Sequence, residues 1–182
     1  MPTFIGHTAV GIALGTTVIP RQHWLRVILL SIFCSVAPDL DSIGFRLGIP
    51  YHHWPGHRGF SHSILFAIIL GLMAILFIIG IEKSAKTRFL CFCVFFSCGL
   101  SHDVLDAMTN GGLGVAFFSP FSEQRFFLPW RPIEVSPLSL RRFLTHRGIK
   151  VLKSEFIWVI LPSLCFAALV AFFRIIKKYC KT

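Results

Sequence analysis

From Ile64 to Ile81 the chain reads ILFAIILGLMAILFIIGI, eighteen residues without a charge. With its Ser61–Ser63 lead-in, this run is long enough at about 20 residues to cross the hydrocarbon core of a bilayer. A second run of similar length, Phe89 to Met108, follows it. Three more apolar stretches surround these two: Phe4 to Ile19, stopped by Pro20; Trp24 to about Asp41; and Phe156 to Ile176, with Pro162 as an expected kink. The first two are short, which calls for a tilt or a hairpin packed against the others, and a basic turn with Arg21, His23 and Arg26 separates them. Hydrophobic residues make up 54% of the 182 and charged ones only 14%, where a soluble domain carries about a quarter charged. The expected fold is all-α, an integral membrane bundle of about five apolar helices forming one domain over residues 1–182.

A net charge of +10 raises the question of nucleic acid. The basic residues, however, sit in short clusters between apolar runs, such as Lys83, Lys86 and Arg88, or Arg174, Lys177, Lys178 and Lys181. That pattern reads as helix-end anchoring and contact with anionic lipid. Membrane lipid is therefore the expected partner, and nucleic acid is not. The six cysteines lie mostly inside apolar runs without a C-x-x-C pair and read as small packing residues. The first residues, MPTFIGHTAV, lack a basic leader and a clear cleavage site, so they read as mature chain. One long connection, residues 109–155, is rich in Gly, Pro and Phe and reads as an interfacial or re-entrant flap anchored near Trp130, followed by the C-terminal helix 156–176.

The polar residues fall at helix ends. His7 opens the first run, Asp39 and Asp41 close the second, His57 and His62 lead into the third, and His102, Asp103 and Asp106 close the fourth. If successive helices alternate direction, all of these reach the same membrane face. His102 and Asp106, four apart, share a helical face; Gly59 allows a bend between His57 and His62. Ionisable groups at membrane depth pair, face a cavity or bind something. Imidazoles mixed with carboxylates suit Zn²⁺ or Mn²⁺ better than Ca²⁺. Seven candidate ligands, His7, Asp39, Asp41, His57, His62, His102 and Asp106, exceed one tetrahedral shell, so two ions are expected over one. Each residue alone has a plainer reading: Asp39 and Asp41 as turn formers, His102 as a buried hydrogen-bonder, His52 and His53 as interfacial side chains beside Trp54, His23 and His146 as solvated. Asp103 is either a carboxylate orienting a histidine or a helix-terminal acid.

Four stretches, GHTAVGIALG, APDLDS, HRGFSHS and SHDVLDAMTNGG, resemble in order and spacing the YdjM-like bacterial inner-membrane proteins, described as metal-dependent hydrolases, some LexA-regulated. The likeness covers residues 4–120. A more distant likeness is to zinc-dependent phospholipase C, although that group's further His and Glu ligands have no match at Glu123, Glu134 or His146. The resemblance implies a multi-pass protein of the inner (plasma) membrane that hydrolyses a phosphoester, with lipid among the candidate substrates and a divalent metal, one or two ions, as cofactor. Asp41 or Asp103 would then accept a proton from water. Arg58 would clamp phosphate through its fork, unless it is a snorkelling anchor. The competing reading is a transporter or metal-handling protein using the same cluster.

Overall fold

The computed structural model describes residues 1–18, 23–80, 82–137 and 139–180. The Ile19 and Ile81 ends of two apolar runs, Pro20, Arg21 and Lys181 lie outside the described residues. In hydrocarbon an unpaired backbone amide or carbonyl is prohibitively costly, and winding as helix satisfies these groups within the segment. The described residues accordingly form helices α1 (Phe4–Gly15), α2 (Trp24–Phe45), α3 (Ile64–Ile79), α4 (Ala85–Ala107), α5 (Leu140–Phe143) and α6 (His146–Tyr179), with no strand among them. Three of these, α2, α4 and α6, are long and apolar enough to cross a membrane; α1 and α3 are shorter apolar helices.

Local chemistry sets the boundaries. Ser63 Oγ accepts from the Phe66 amide at 3.1 Å, so α3 starts at Ile64 and not at Ser61. Ser84 does the same for Thr87, which starts α4 four residues ahead of the expected Phe89. Pro38 has no N–H to return to Cys34, and from Ala37 to Phe45 helix α2 tightens into 3-10 geometry. The last helix begins at His146, capped by Thr145, ten residues before the expected Phe156. Its opening turns, HRGIKVLKSE, are polar overall and escape a hydropathy reading. Gly148, Val151 and Glu155 nevertheless form a buried stripe at helical spacing. Just before Pro162, Phe156–Ile160 adopt π-helical winding, which occupies the place where a kink was expected.

Small residues bring the helices close. A Cβ on Gly11 would stand 2.9 Å from the Ser31 carbonyl oxygen, and one on Gly15 2.9 Å from Ser31 Oγ. This Gly-x-x-x-Gly face draws α1 against α2 as in membrane helix pairs. Gly99 of α4 meets Ala67 of α3 in the same way, at 3.0 Å. Val27, Cys34, Leu70, Ala74, Cys91, Phe95 and Cys98 make the buried core between α2, α3 and α4. Helix α6 lies outside this core, with Phe172, Phe173 and Ile175 exposed, and is tied back by Arg174 Nη2 donating to the Thr17 carbonyl at 2.7 Å.

The long connection is held down over one end of the bundle. Val115 and Phe126 exchange both backbone hydrogen bonds at 2.9 Å, Ile64 N donates to Phe117 O, and Leu128 N donates to Ala107 O. Trp130 packs edge-on against Trp158 of α6, with ring centroids 4.8 Å apart. Gly11→Val should force α1 off α2 and cost about 1–3 kcal/mol by overpacking. Gly80→Ala, where a Cβ meets nothing within 4 Å, should stay within about 0.5 kcal/mol. Chemical unfolding of both variants in detergent micelles checks this; equal stabilities would show that the α1–α2 contact is not tight.

Candidate metal centre

The close α1–α2 contact brings the start of one helix to the end of the other. His7 lies one turn before Gly11, and Ser35 Oγ donates to the His7 carbonyl at 2.7 Å. The 3-10 turn after Pro38 presents Asp39 from α2. Gly59 carries the chain into α3; a Cβ there would run into the Trp54 carbonyl, so only glycine lets His57 and His62 approach together. His102 and Asp106 project from the last turns of α4. All five side chains of His7, Asp39, His62, His102 and Asp106 are buried.

One ligand atom from each of Asp39, His62, His102 and Asp106 lies within 4.8 Å of every other. His62 Nε2 is 3.0 Å from His102 Nε2 and 3.4 Å from Asp106 Oδ2, while His102 Nε2 is 3.4 Å from Asp39 Oδ1. The His7 ring stacks on His102 at 3.8 Å, with its Nε2 3.7 Å from Asp106 Oδ1 and 4.0 Å from Asp39 Oδ2. In a tetrahedral shell with bonds of about 2.1 Å, ligand atoms stand about 3.4 Å apart. The cluster has that spacing.

Tautomers sharpen the point. His102 Nδ1 faces the Ser35 carbonyl at 2.8 Å, an acceptor only, so Nδ1 carries the proton. His62 Nδ1 lies 3.1 Å from Asp41 Oδ2, which holds a proton there as well. In neutral rings both Nε2 atoms are then bare lone pairs facing each other and two carboxylates. The Asp106, Asp39 and Asp41 carboxylates outweigh burial and hold the His62 imidazolium well above the usual histidine range. The cavity therefore favours positive charge. A proton between the two Nε2 atoms supplies one, but leaves both Asp39 oxygens, Asp106 Oδ1 and both His7 nitrogens without hydrogen-bond partners. A divalent cation would give Asp39, Asp106 Oδ1 and one His7 nitrogen a common partner beside the two Nε2 lone pairs, so the donor set fits a metal.

The remaining residues divide differently from the sequence reading. Asp41, His57 and His62 form a second group of possible ligands. Asp41 is already satisfied, however: it takes His57 Nδ1 at 2.6 Å, Ser61 Oγ at 2.5 Å and the Arg58 amide at 3.1 Å. Asp41 and His57 thus brace His62 from behind, in the manner of carboxylate–histidine pairs around metals. Asp103 is buried outside both groups, and neither of its carboxylate oxygens has a hydrogen-bond partner. Arg58 departs furthest from expectation. A headgroup anchor needs an outward guanidinium and a phosphate clamp needs free N–H donors, but this guanidinium is wholly buried with its Nε, Nη1 and Nη2 all engaged. Its Nε donates to Asp106 Oδ2 at 2.8 Å, Nη2 to Thr109 Oγ1 at 2.9 Å and Nη1 to the Gly111 carbonyl at 3.0 Å. Its backbone sits at φ 61°, a left-handed conformation that costs a non-glycine residue energy.

Several contributors were not singled out from sequence. Ser61 lies inside HRGFSHS and could have been read as a partner for the adjacent histidines. Thr109 and Gly111 lie in the quoted MTNGG stretch. Arg125 had no local signal: from the flap, its Nη1 donates to the His57 and Arg58 carbonyls at 3.1 Å and its Nη2 to the Tyr51 carbonyl at 3.1 Å, pinning the histidine loop.

An all-helical membrane protein with a buried His/Asp cluster able to hold a metal ion is the class these features define. The chain belongs to the YdjM inner membrane protein family, which matches residues 1–179. It is 39% identical over 168 residues to inner membrane protein YbcI of Escherichia coli (strain K12), covering 90% of this chain and 94% of that protein. No solved structure matches the chain. The likeness to zinc-dependent phospholipase C finds no support in these matches.

Arg58→Ala should leave Asp106 buried without its cation, costing about 3–5 kcal/mol. Arg58→Lys should restore little, since one ammonium cannot make three forked contacts. Unfolding titrations of purified protein read both, and wild-type stability in Arg58→Ala would show that the pair does not hold the site.

Proposed function

We propose that this protein is a metal-dependent hydrolase of phosphoesters, working at one end of a multi-pass bundle in the inner membrane. The observation that supports the reading most is the cluster of ligand atoms of Asp39, His62, His102 and Asp106 within 4.8 Å of one another, with Asp39, Asp106 Oδ1 and the adjoining His7 ring otherwise unpartnered. They suit one ion, Zn²⁺ or Mn²⁺ by their mixed N/O chemistry. A second ion would need Asp41 and His57, whose mutual hydrogen bond is already made.

Such a metal, when bound, lowers the pKa of water and polarises a phosphoryl oxygen. The chain's own residues do the rest. Ser35 and Asp41 fix the tautomers of His102 and His62, so that both present Nε2. Arg58 neutralises one carboxylate oxygen of Asp106 and keeps the net charge of the ligand set from growing too negative. Asp41 fixes His57 at Nδ1 and leaves Nε2 without a protein partner; this pair is the group best placed to take up a proton, displacing Asp103 and Asp41 alone from that role. The ligands come from helix ends and a turn, not from helices broken at mid-membrane, which favours surface chemistry over passage.

His62→Ala and His102→Ala should each lose most of the bound metal, measured by elemental analysis of purified protein, while His52→Ala should keep it. Asp41→Asn should still bind, about 10–100-fold more weakly. Hydrolysis across a phosphodiester and phospholipid panel should stop on chelation and return with added Zn²⁺ or Mn²⁺. Unchanged metal content in His62→Ala and His102→Ala would refute the centre. Stoichiometric metal without turnover on the panel would leave a metal-handling role in place of the hydrolase.

A further inference from the structure

Beside the metal centre lies an open cavity of about 470 Å³, within the range of about 300–1,000 Å³ for ligand pockets. Its walls are apolar: Phe4 and Ile5 of α1, Leu40 of α2, and Leu140 and Phe143 of α5. Asp39 carries the single charged side chain in the lining, which also includes Met1 with its N-terminal ammonium. This is the same Asp39 that is nine-tenths buried, has no hydrogen-bond partner for either oxygen and faces His62 and His102. A hydrocarbon wall therefore ends at a proposed metal ligand. Leu140, Leu40 and Phe4 are 71%, 58% and 66% exposed, so the mouth is greasy as well.

Charge surrounds that mouth on one side. Leu140 and Phe143, three apart, line the cavity, while Arg142 of the same short helix lines a neighbouring recess of about 300 Å³ with Arg147, Ser139 and Pro137. Lys150 and Lys153 continue the basic face along α6 and are exposed. Apolar wall, basic rim and buried acidic end complement the three parts of one kind of molecule: hydrocarbon chain, anionic surroundings and cation-bridged phosphate.

Resting on the metal-dependent hydrolase reading, we infer that the substrate is an anionic membrane phospholipid whose acyl chain occupies the cavity between α1, α2 and α5. A soluble phosphoester would leave that apolar wall against water. A lipid reaching it from the bilayer replaces the exposed Phe4, Leu40 and Leu140 surface with hydrocarbon contact and delivers its phosphate beside Asp39. The reaction is a hydrolysis: water's oxygen bonds to phosphorus as one of its protons passes to the His57–Asp41 pair, one P–O ester bond breaks, and the departing alkoxide takes the other proton.

The test uses the full chain in nanodiscs of phosphatidylglycerol, in wild-type form and as Leu140→Asp. First, phosphatidylglycerol with a photoactivatable acyl chain should label the peptides carrying Ile5, Leu40 and Leu140. In Leu140→Asp this labelling should fall about tenfold, the loss expected for one leucine-sized apolar contact. Labelling around Phe172 and Phe173, on the outer face of α6, should stay the same. Second, the ratio of kcat/KM for phosphatidylglycerol over bis(4-nitrophenyl) phosphate should fall about tenfold in the variant. Cavity labelling indifferent to Leu140→Asp, or an unchanged ratio while the soluble diester is still hydrolysed, overturns the lipid inference and leaves the hydrolase reading standing. Cavity labelling lost as expected, with neither substrate turned over by metal-loaded wild type, overturns the hydrolase reading and the substrate assignment with it.

Discussion

Two imidazole nitrogens 3.0 Å apart, each with its proton committed on the far side of the ring, are the constraint on which this structure turns. Lone pairs do not face each other across a buried gap beside two carboxylates unless positive charge lies among them. Breaking a buried arrangement of this kind by removing one partner is expensive, because the others lose their compensation together. The bundle is built so that the partners cannot drift apart. The glycine face of α1 fixes His7 against α2, Gly99 and Ala67 fix α4 against α3, and the Ser35 carbonyl, just before α2 tightens into its 3-10 turn, anchors His102.

Arg58 shows how the outer layer serves the inner one. A guanidinium buried in a bundle end makes sense only with acceptors for its fork, and Asp106, Thr109 and Gly111 provide them from the end of α4 and the first turn of the flap. Its left-handed backbone is held from outside by Arg125, which clasps the carbonyls of His57 and Arg58, and by the Ala116 amide. The flap is thereby joined to the His/Asp cluster through two arginines. A second tie, Glu155 of α6 accepting from Thr3 N at 2.5 Å and Thr3 Oγ1 at 2.6 Å, holds the segment before His7. Loop and outer helix both converge on positioning the same five side chains.

Much of this was legible in the chain. Hydrophobic runs, turn residues and the parity of alternating helices were enough to bring His7, Asp39, His62, His102 and Asp106 to one end, because each lies where a run starts or stops. What was hidden follows from physical causes. The polar opening of α6 carries a buried stripe of only Gly148, Val151 and Glu155, too sparse for hydropathy to find. The division between Asp39, facing the centre, and Asp41, bracing His57 and His62, depends on the 3-10 turn after Pro38, which rotates two carboxylates two residues apart onto different faces. For Arg58 the sequence offers a phosphate clamp or a headgroup anchor, because its partners lie far along the chain. Its inward turn needs acceptors some fifty residues away, and Arg125 lies still further along the chain. Long-range pairing leaves no local periodicity to read.

The place of the His/Asp cluster near helix ends also has a physical cause. Within a regular helix every backbone carbonyl is committed to the helix itself; the Ser35 carbonyl, next to the 3-10 turn of α2, and the Gly111 carbonyl, beyond α4, orient a histidine and an arginine. Helix ends lie near the interface, where water can arrive from one side and hydrocarbon from the other. The cavity beside Asp39 has that double character, apolar along α1 and α5 and basic where Arg142 and Arg147 turn toward the surface. A centre deeper in the bundle would exclude water, and one on a soluble loop would have no hydrocarbon wall. The start of α1, the 3-10 turn of α2 and the end of α4, roofed by the flap, bring both surroundings to the same five side chains.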